Sequence, residues 1–305
     1  MSDPNIVFYQ GDFRPLEEAK VSIRIKGLNY GLGCFEGIRA YWNADREQLY
    51  VFRLREHYVR MHRSLRILHM PPPLSVERMC EVTLELLRRN AMRQDSYIRP
   101  IAFINSEGLS PLIVPEDNAF GIYVIPLADY LDTSRGVRAR VSSWQRLSDN
   151  MIPVTAKPTA AYLNSALARL EAQQVGADEG IFLTKEGYVS EGSAEHIILV
   201  REGRLVTPAA EDDNLRGITR ETLLELARAE LGLETECRHV RRSELYVAEE
   251  AFFCGTSAEV RPILSVDRFP VGEGHIGSIT RRISALYHDV VRGIEGHYGE
   301  WRTLV

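Results

Sequence analysis

The sequence predicts an α/β protein of mixed, α+β order, folded as two domains. Three observations predict it. Short period-2 apolar runs are interspersed with 3.6-period helical segments, in no regular β-α-β-α alternation. A polar, turn-rich stretch from Pro126 to Gly136 interrupts that pattern near the middle. The length of 305 residues matches two average domains. A chain of this size buries roughly 75% of its unfolded surface and needs no disulfide or metal staple. The expected division is a smaller N-terminal domain at residues 1–127, a linker at 128–136 and a larger C-terminal domain at 137–305.

The elements follow in order. NIVFYQGDF is a short apolar run with a Gly-Asp turn, and KVSIRIKG alternates like a half-buried strand. GIRAYW and LYVFRL read as a hairpin around Asn43-Ala44-Asp45. Leu54, Tyr58, Met61, Leu65 and Leu68 mark a helix that Pro71-Pro72-Pro73 stops. Ser75 caps a second helix running to about Arg93. Tyr97 to Ile104 and Ala119 to Ile125 are strands flanking a Pro- and Gly-bearing loop, and Val137 to Trp144 is another strand. Asn164 to Val175 is a helix with Leu167 and Leu170 inward. GIFLTKEGYVSEG and AEHIILVREGRLVTP are hairpins. Thr219 to Leu231 is a helix, LYVAEEAFFCG and VRPILSVD are strands, and Ser278 to Gly293 is the last helix.

Composition narrows the function. A net charge of -5 argues against a nucleic-acid binder. No apolar run of ~18 residues is present to span a membrane. The opening MSDPNIVFYQGDF lacks a basic start followed by an apolar core, so no secretory signal is expected. Cys34, Cys80, Cys237 and Cys254 form no CxxC pair and no zinc spacing. They are expected to be reduced thiols of a cytoplasmic protein without a metal.

Gly272-Glu273-Gly274-His275-Ile276-Gly277 spells a dinucleotide fingerprint, but too little chain follows it for a βαβ unit, and a turn before a helix explains it better. Ser148-Asp149-Asn150 lacks the companion boxes of β-lactamases. His57 and His62 are five apart, where a helical metal pair needs four.

Only four of the 37 basic residues are lysines: Lys20, Lys26, Lys157 and Lys185. Lysine, unlike arginine, supplies a neutral amine at working pH. Lys20, Lys26 and Lys185 read as exposed. Lys157 lies in IPVTAKPTAAYLNSAL, among small or apolar neighbours that carry no charge. Such a setting lowers a lysine pKa from about 10.4 and yields a usable amine. A covalent role and an ordinary loop lysine both remain open on this ground. Arg216-Gly217-Ile218-Thr219 opens a helix whose free N–H groups suit an anion, and Cys254-Gly255-Thr256-Ser257-Ala258 is a second small, hydroxyl-bearing turn. With a reactive lysine, these suggest a phosphorylated aldehyde, pyridoxal 5'-phosphate. Glu191 and Glu195 are candidates for the acid such a cofactor needs at its ring nitrogen.

The sequence resembles the fold-type IV pyridoxal-phosphate aminotransferases, most closely those of the branched-chain amino acid group. The resemblance runs from about Val7 to Gly293. Its segments are LNYGLGCFEGIRAY, VFRLREHYVRMHRS, SYIRP, VSSWQR, the AK of TAKPTAAY, GYVSEGSAEH, LRGITR, ELYVAEEAFFCGTSAEV and VGEGHIG.

It implies a two-domain fold with the cofactor between the domains, and Lys157 as the lysine bound covalently to it. Tyr162 is implied at the phenolic oxygen and Glu191 at the ring nitrogen, with Glu195 behind it. Arg60, Gly217, Ile218, Thr219 and Thr256 are implied at the phosphate. The implied substrate pocket is Tyr30, Phe35, Gly37, Arg39, Tyr97, Arg99 and Tyr130 with Thr256, Ser257 and Ala258. Tyr97 and the Thr256-Ala258 turn would hold the α-carboxylate. Arg99, Tyr30 and Tyr130 would take the distal carboxylate of glutamate.

The implied reaction moves an amino group from Leu, Ile or Val to 2-oxoglutarate, in a homodimer or larger assembly. Its small-molecule partners are amino acids and 2-oxo acids. Ser106 to Ile113 departs from the family's Gly-rich loop, which closes the pocket from the neighbouring subunit. That departure leaves a D-amino acid or (R)-amine transaminase, or an aminodeoxychorismate lyase, as alternatives.

Overall fold

The computed structural model describes residues 5–127, 135–294 and 296–305. The chain divides into two compact units. One holds Met1–Tyr130, Ala156–Ala160 and Asp289–Val305, and the other holds Leu131–Thr155 and Ala161–His288. Two stretches expected in a C-terminal domain at 137–305 thus group with the first unit, and one of them carries Lys157. Residues 128–134 of the expected linker lie outside the described residues.

The first unit begins with β1 (Ile6–Tyr9), β2 (Asp12–Pro15), α1 (Lys26–Tyr30), β3 (Gly33–Phe35), β4 (Ile38–Asn43) and β5 (Gln48–Phe52). It continues with α2 (Leu54–Ile67), α3 (Val76–Arg89), β6 (Ser96–Ile104) and β7 (Asn118–Pro126). The second contains β8 (Val137–Val141), α4 (Tyr162–Gln174), β9 (Glu179–Leu183), β10 (Val189–Gly192), β11 (His196–Arg201) and β12 (Arg204–Pro208). After these come α5 (Ile218–Leu231), β13 (Thr235–Arg238), β14 (Glu250–Gly255), β15 (Glu259–Val266), β16 (Phe269–Pro270) and α6 (Ser278–Val291), whose residues from Asp289 on group with the first unit. β17 (Arg302–Leu304) pairs with β5 in the first unit.

The first sheet runs β17-β5-β4-β6-β7-β1-β2, with β3 also on β6. Its centre is the antiparallel β6–β7 pair, in register from Ser96↔Pro126 to Ile104↔Asn118. The two-residue side-chain period buries Ile98, Ala102 and Ile104 in the core and leaves Tyr97 and Arg99 half-buried on the opposite face. The core face packs on α2 through Leu54, Tyr58, Met61 and Leu65, which recur at helical spacing. Ser75 caps α3 as expected, its Oγ accepting from the Arg78 N–H at 3.1 Å. α3 ends at Arg89 rather than near Arg93.

The second sheet runs β10-β9-β8-β15-β14-β11-β12-β13, with β16 on β15. β8 is parallel to both β9 and β15. β10 turns sharply through Gly192 into β11, with the Gly192 N–H donating to the Glu195 carbonyl at 2.6 Å. Gly272 and Gly274, at φ 53 and 75, form a turn ahead of α6, as read for GEGHIG.

Several elements differ from expectation. KVSIRIKG forms no strand; Lys26 opens α1 instead and is buried. The tight approach of Gly27 to the Ile104 carbonyl favours that short helix, since a Cβ there would sit 2.9 Å from the oxygen. On α4 the buried face is Ser165, Ala168 and Ala172, while Leu170 is exposed. Small residues win there because the helix lies close on β9: a Cβ on Gly180 would stand 2.9 Å from the Ala168 carbonyl. The strand read from LYVAEEAFFCG starts only at Glu250, because Arg242–Tyr246 forms a 3-10 turn, closed by the Glu244 carboxylate accepting from the Arg241 N–H at 2.9 Å. β8 stops at Val141 rather than near Trp144, where Glu171 accepts from Ser142 and Ser143 and ends the pairing.

Candidate active site

In the first unit, Lys157 is half-buried and held by its backbone. Its N–H donates to Ser64 Oγ at 3.2 Å, and its carbonyl accepts from the Phe35 N–H at 3.2 Å. Pro158, which lacks an N–H, bridges Cys34 on β3. Lys157 Nζ stands 5.3 Å from the centre of the Phe35 ring. Cys34 offers no competing nucleophile: burial first, and Glu36 second, push its thiol up to about 12.

The sequence neighbours of Lys157 are uncharged, but the folded chain brings charge to it. Glu36, fully buried, accepts from Arg60 twice, Nε to Oε1 at 2.7 Å and Nη2 to Oε2 at 2.8 Å. His57 Nδ1 lies 2.9 Å from Oε2, and the Gly37 N–H also donates to it. Burial by itself raises the Glu36 carboxyl, but Arg60 and His57 outweigh it and hold it below the ordinary carboxylate range. Burial lowers His57, with Glu36 opposing and Arg60 and Lys157 adding to the effect.

On the face of β6 away from the core, the half-buried Tyr97 and Arg99 meet the buried Phe35 and Gly37. Arg99 Nη2 donates to Tyr97 Oη at 2.9 Å, and its guanidinium lies 4.4 Å from the Phe35 ring centre. Gly37 has no room for a side chain, because a Cβ would overlap Tyr97 Oη. Arg39, opposite Tyr97 in register, stands 3.6 Å from Asp95 and over the Tyr41 ring. Tyr30 Oη donates its one hydrogen to the Leu109 carbonyl at 2.7 Å. The departing loop is thereby tied down, with Lys26 Nζ on the Leu112 carbonyl at 3.2 Å and Arg24 on Glu107 at 3.0 Å. Leu109 itself is 94% exposed. Tyr130 lies outside the described residues.

In the second unit, Glu191 on β10 is buried between Arg146 and the His196 ring. Arg146 Nη2 is 2.7 Å from Oε1, and His196 Nδ1 is 3.5 Å from Oε2. Arg146 Nε donates to the Asp213 carbonyl at 3.3 Å, which fixes the guanidinium. Glu195 is buried beside Glu179, with Arg261 Nη1 at 3.5 and 3.9 Å from the two carboxylates. Burial and then Glu179 push Glu195 up to about 7, against Arg261. Gly217 is the N-cap of α5, and no side chain caps that helix. The N–H groups of Ile218 and Thr219 therefore open the helix at its positive dipole end. Thr256, Ser257 and Ala258 form the turn between β14 and β15. Tyr162 is the first residue of α4.

The sequence reading gave no role in the site to four residues of these clusters: Glu36, His57 (weighed only as a metal ligand with His62), Arg146 and His196. Glu36 leaves one trace, a lone carboxylate within the apolar run GCFEGIRAY. His57 and Arg146 leave none, since their partners are 21 residues away and farther, and His196, though five positions after Glu191, also meets Gly217 across a longer stretch of chain.

The class IV amino-transferase family model matches residues 33–266. A protein of Aquifex aeolicus named a probable branched-chain-amino-acid aminotransferase is 44% identical over 301 residues, covering 99% of this chain and 97% of that one. Among solved structures, a branched-chain aminotransferase from Thermoproteus uzoniensis with norvaline superposes at TM-score 0.93, with 44% identity over 99% of both chains. A branched-chain amino acid aminotransferase of the organism abbreviated T.th., complexed with N-(5'-phosphopyridoxyl)-L-glutamate, superposes at 0.92, with 36% identity over 99% of both. With a family model spanning most of its length and full-length relatives above 30% identity, this chain belongs to the class IV aminotransferases.

Proposed function

We propose that this chain transfers the amino group of branched-chain L-amino acids, Leu, Ile and Val, to 2-oxoglutarate, giving the 2-oxo acid and L-glutamate. Pyridoxal 5'-phosphate is the cofactor. The observation that carries the reading is Lys157, a half-buried amine whose backbone is fixed on both sides by Ser64 and Phe35. Its family relatives include proteins solved with norvaline and with a phosphopyridoxyl-glutamate.

The residues fit the cofactor. The uncapped start of α5 offers backbone donors to a phosphate, and Glu191 is a buried carboxylate already balanced by Arg146. Lys157 would hold the cofactor covalently, with Tyr162 at its phenolic oxygen and Glu191 at its ring nitrogen. Gly217, Ile218, Thr219, Thr256 and Arg60 would hold its phosphate. Bound, it supplies an electron sink for the pair left on the substrate Cα. Lys157 Nζ, as a neutral amine, moves the proton off that Cα. The Phe35 ring excludes water beside the amine. Tyr97, with Thr256, Ser257 and Ala258, positions the α-carboxylate. Arg99 would grip a distal carboxylate when glutamate binds, together with Tyr130 and with Tyr30 once its hydroxyl leaves the Leu109 carbonyl, and Arg39 and Gly37 would line the same pocket.

The protein is further read as cytoplasmic and as a homodimer or larger assembly. The exposed Leu109 and Leu112 of the tied-down loop are apolar side chains that such an assembly covers. Among the described residues no helix is long and apolar enough to cross a membrane.

The test is the visible spectrum of the purified protein before and after L-leucine, with no acceptor present. Conversion of a bound yellow band to the pyridoxamine form supports the reading. A band that responds only to D-alanine or an (R)-amine moves the substrate assignment, and a colourless protein that takes up no pyridoxal phosphate overturns the reading.

A further inference from the structure

We propose that His196 is a positioning residue that locks Glu191 to the opening turn of α5, so that one imidazole ring sets both ends of the cofactor cradle. The inference rests on the reading above and deepens it. On one side, His196 Nδ1 lies 3.5 Å from Glu191 Oε2, while Arg146 Nη2 lies 2.7 Å from Oε1. On the other side, the ring fills the space over Gly217. A Cβ on Gly217 would overlap Nε2 and Cδ2 of His196. Gly217 has φ -79, where any residue is at ease, so the ring and not the backbone requires glycine there.

The fold places the ring there for a simple reason. His196 is the first residue of β11, paired with Cys254 on β14, five positions after Glu191 and across the tight Gly192 turn. Its side chain is buried, as are those of Glu191 and Arg146. Groups facing Glu191 are thus Arg146 from the chain after β8 and His196 from β11. A buried ring in van der Waals contact with one partner and electrostatic contact with another transmits a shift of either to the other. Without it, the carboxylate keeps Arg146 alone and is free to rotate toward that guanidinium, away from the ring nitrogen it is to meet.

The test measures binding of pyridoxal 5'-phosphate to apoprotein by absorbance and fluorescence titration. Apoprotein stability and the absorption spectrum of the bound cofactor are followed alongside. His196→Leu, which keeps bulk over Gly217 but offers Glu191 no polar atom, is expected to weaken binding at least tenfold and to shift the pH at which the bound spectrum changes. His196→Asn places an amide nitrogen near the position of Nδ1 and is expected to recover binding to within about threefold of the parent. Gly217→Ala is expected to weaken binding by pushing the ring aside. Combined with His196→Ala, it is expected to add little to the loss caused by His196→Ala alone, because the clash is gone.

Unchanged affinity and spectrum in His196→Leu overturn the proposal, as do fully additive losses in the double variant. If His196→Leu does not fold, the Gly217→Ala and His196→Ala cycle decides alone. If the parent protein binds no pyridoxal phosphate, the underlying reading fails and takes this one with it. Parent binding with insensitive variants removes this inference only.

Discussion

Arg60 grips the fully buried Glu36 through two parallel bonds, at 2.7 and 2.8 Å. The pair links α2 to the segment between β3 and β4, and it places a guanidinium with two of its five donors already directed. Glu36→Gln strands a buried cation and is expected to destabilise the fold by about 3–5 kcal/mol. It is also expected to weaken cofactor binding through a loosened Arg60. Urea unfolding of the apoprotein and titration with pyridoxal phosphate check the two effects separately.

Acid should release the same cluster. The folded Glu36 carboxyl is held below its unfolded value of 4.5, so its stabilisation is present above that pH and lost as pH falls through the folded value. His57, lowered by burial from 6.5, acts in the same direction, being stable neutral and losing stability as pH falls. Melting temperature should therefore fall as pH drops below about 6. The slope should be shallower in Glu36→Gln. Equal slopes in both proteins would contradict this account.

Glu195 should behave oppositely. Raised to about 7 from 4.5, it is accommodated as a neutral acid and costs stability as pH rises through that interval. Glu195→Gln is expected to gain on the order of 1 kcal/mol at pH 8 relative to pH 5, net of its contact with Arg261. Thermal melts of both proteins at the two pH values measure the difference.

Gly37→Ala should strike the substrate pocket. The added methyl meets Tyr97 Oη and displaces the phenol that Arg99 holds. Steady-state kinetics should show KM raised about tenfold or more for amino acid and 2-oxo acid alike, a loss of ~1.4 kcal/mol each. Cofactor affinity should change far less. A rise confined to one substrate would place Tyr97 elsewhere in the pocket.

Lys26→Ala removes the amine that holds the Leu112 carbonyl. The loop at 106–113 should become several times more sensitive to limited proteolysis around Leu112, because its other ties, the bonds of Tyr30 and Arg24 and the backbone contacts of Ile25 and Lys26, lie at 106–109. Proteolytic fragments mapped by mass spectrometry test this directly.

Much of the fold was legible because it rests on local patterns. The β6–β7 strands, the α2 stripe and the Ser75 cap follow from periodicity and capping chemistry. KVSIRIKG misled because alternation is a poor guide beside Gly27, whose close approach to Ile104 belongs to tertiary packing. Leu170 misled for a related reason, since α4 lies so close on β9 that small residues face it, while Leu167 is half-buried. Lys157 stood out by its rarity among basic residues and its uncharged neighbours, and Glu191 by its place after a strand. Arg60 stood out only by resemblance, among Arg53, Arg55, Arg63 and Arg66. Glu36 and Arg146, and His196 in its contact with Gly217, acquire meaning only once distant segments meet, which spacing along the chain does not encode.

The burial of Lys26 has a practical consequence for handling the protein. With Lys157 half-buried as well, only Lys20 and Lys185 present side-chain amines fully to solvent. Amine-directed fluorophores, cross-linkers or resins used sparingly therefore meet two side-chain addresses, one of them at the tip of the hairpin joining β9 to β10. A chain this rich in arginine offers surface tethering at almost chosen points, with no engineered tag.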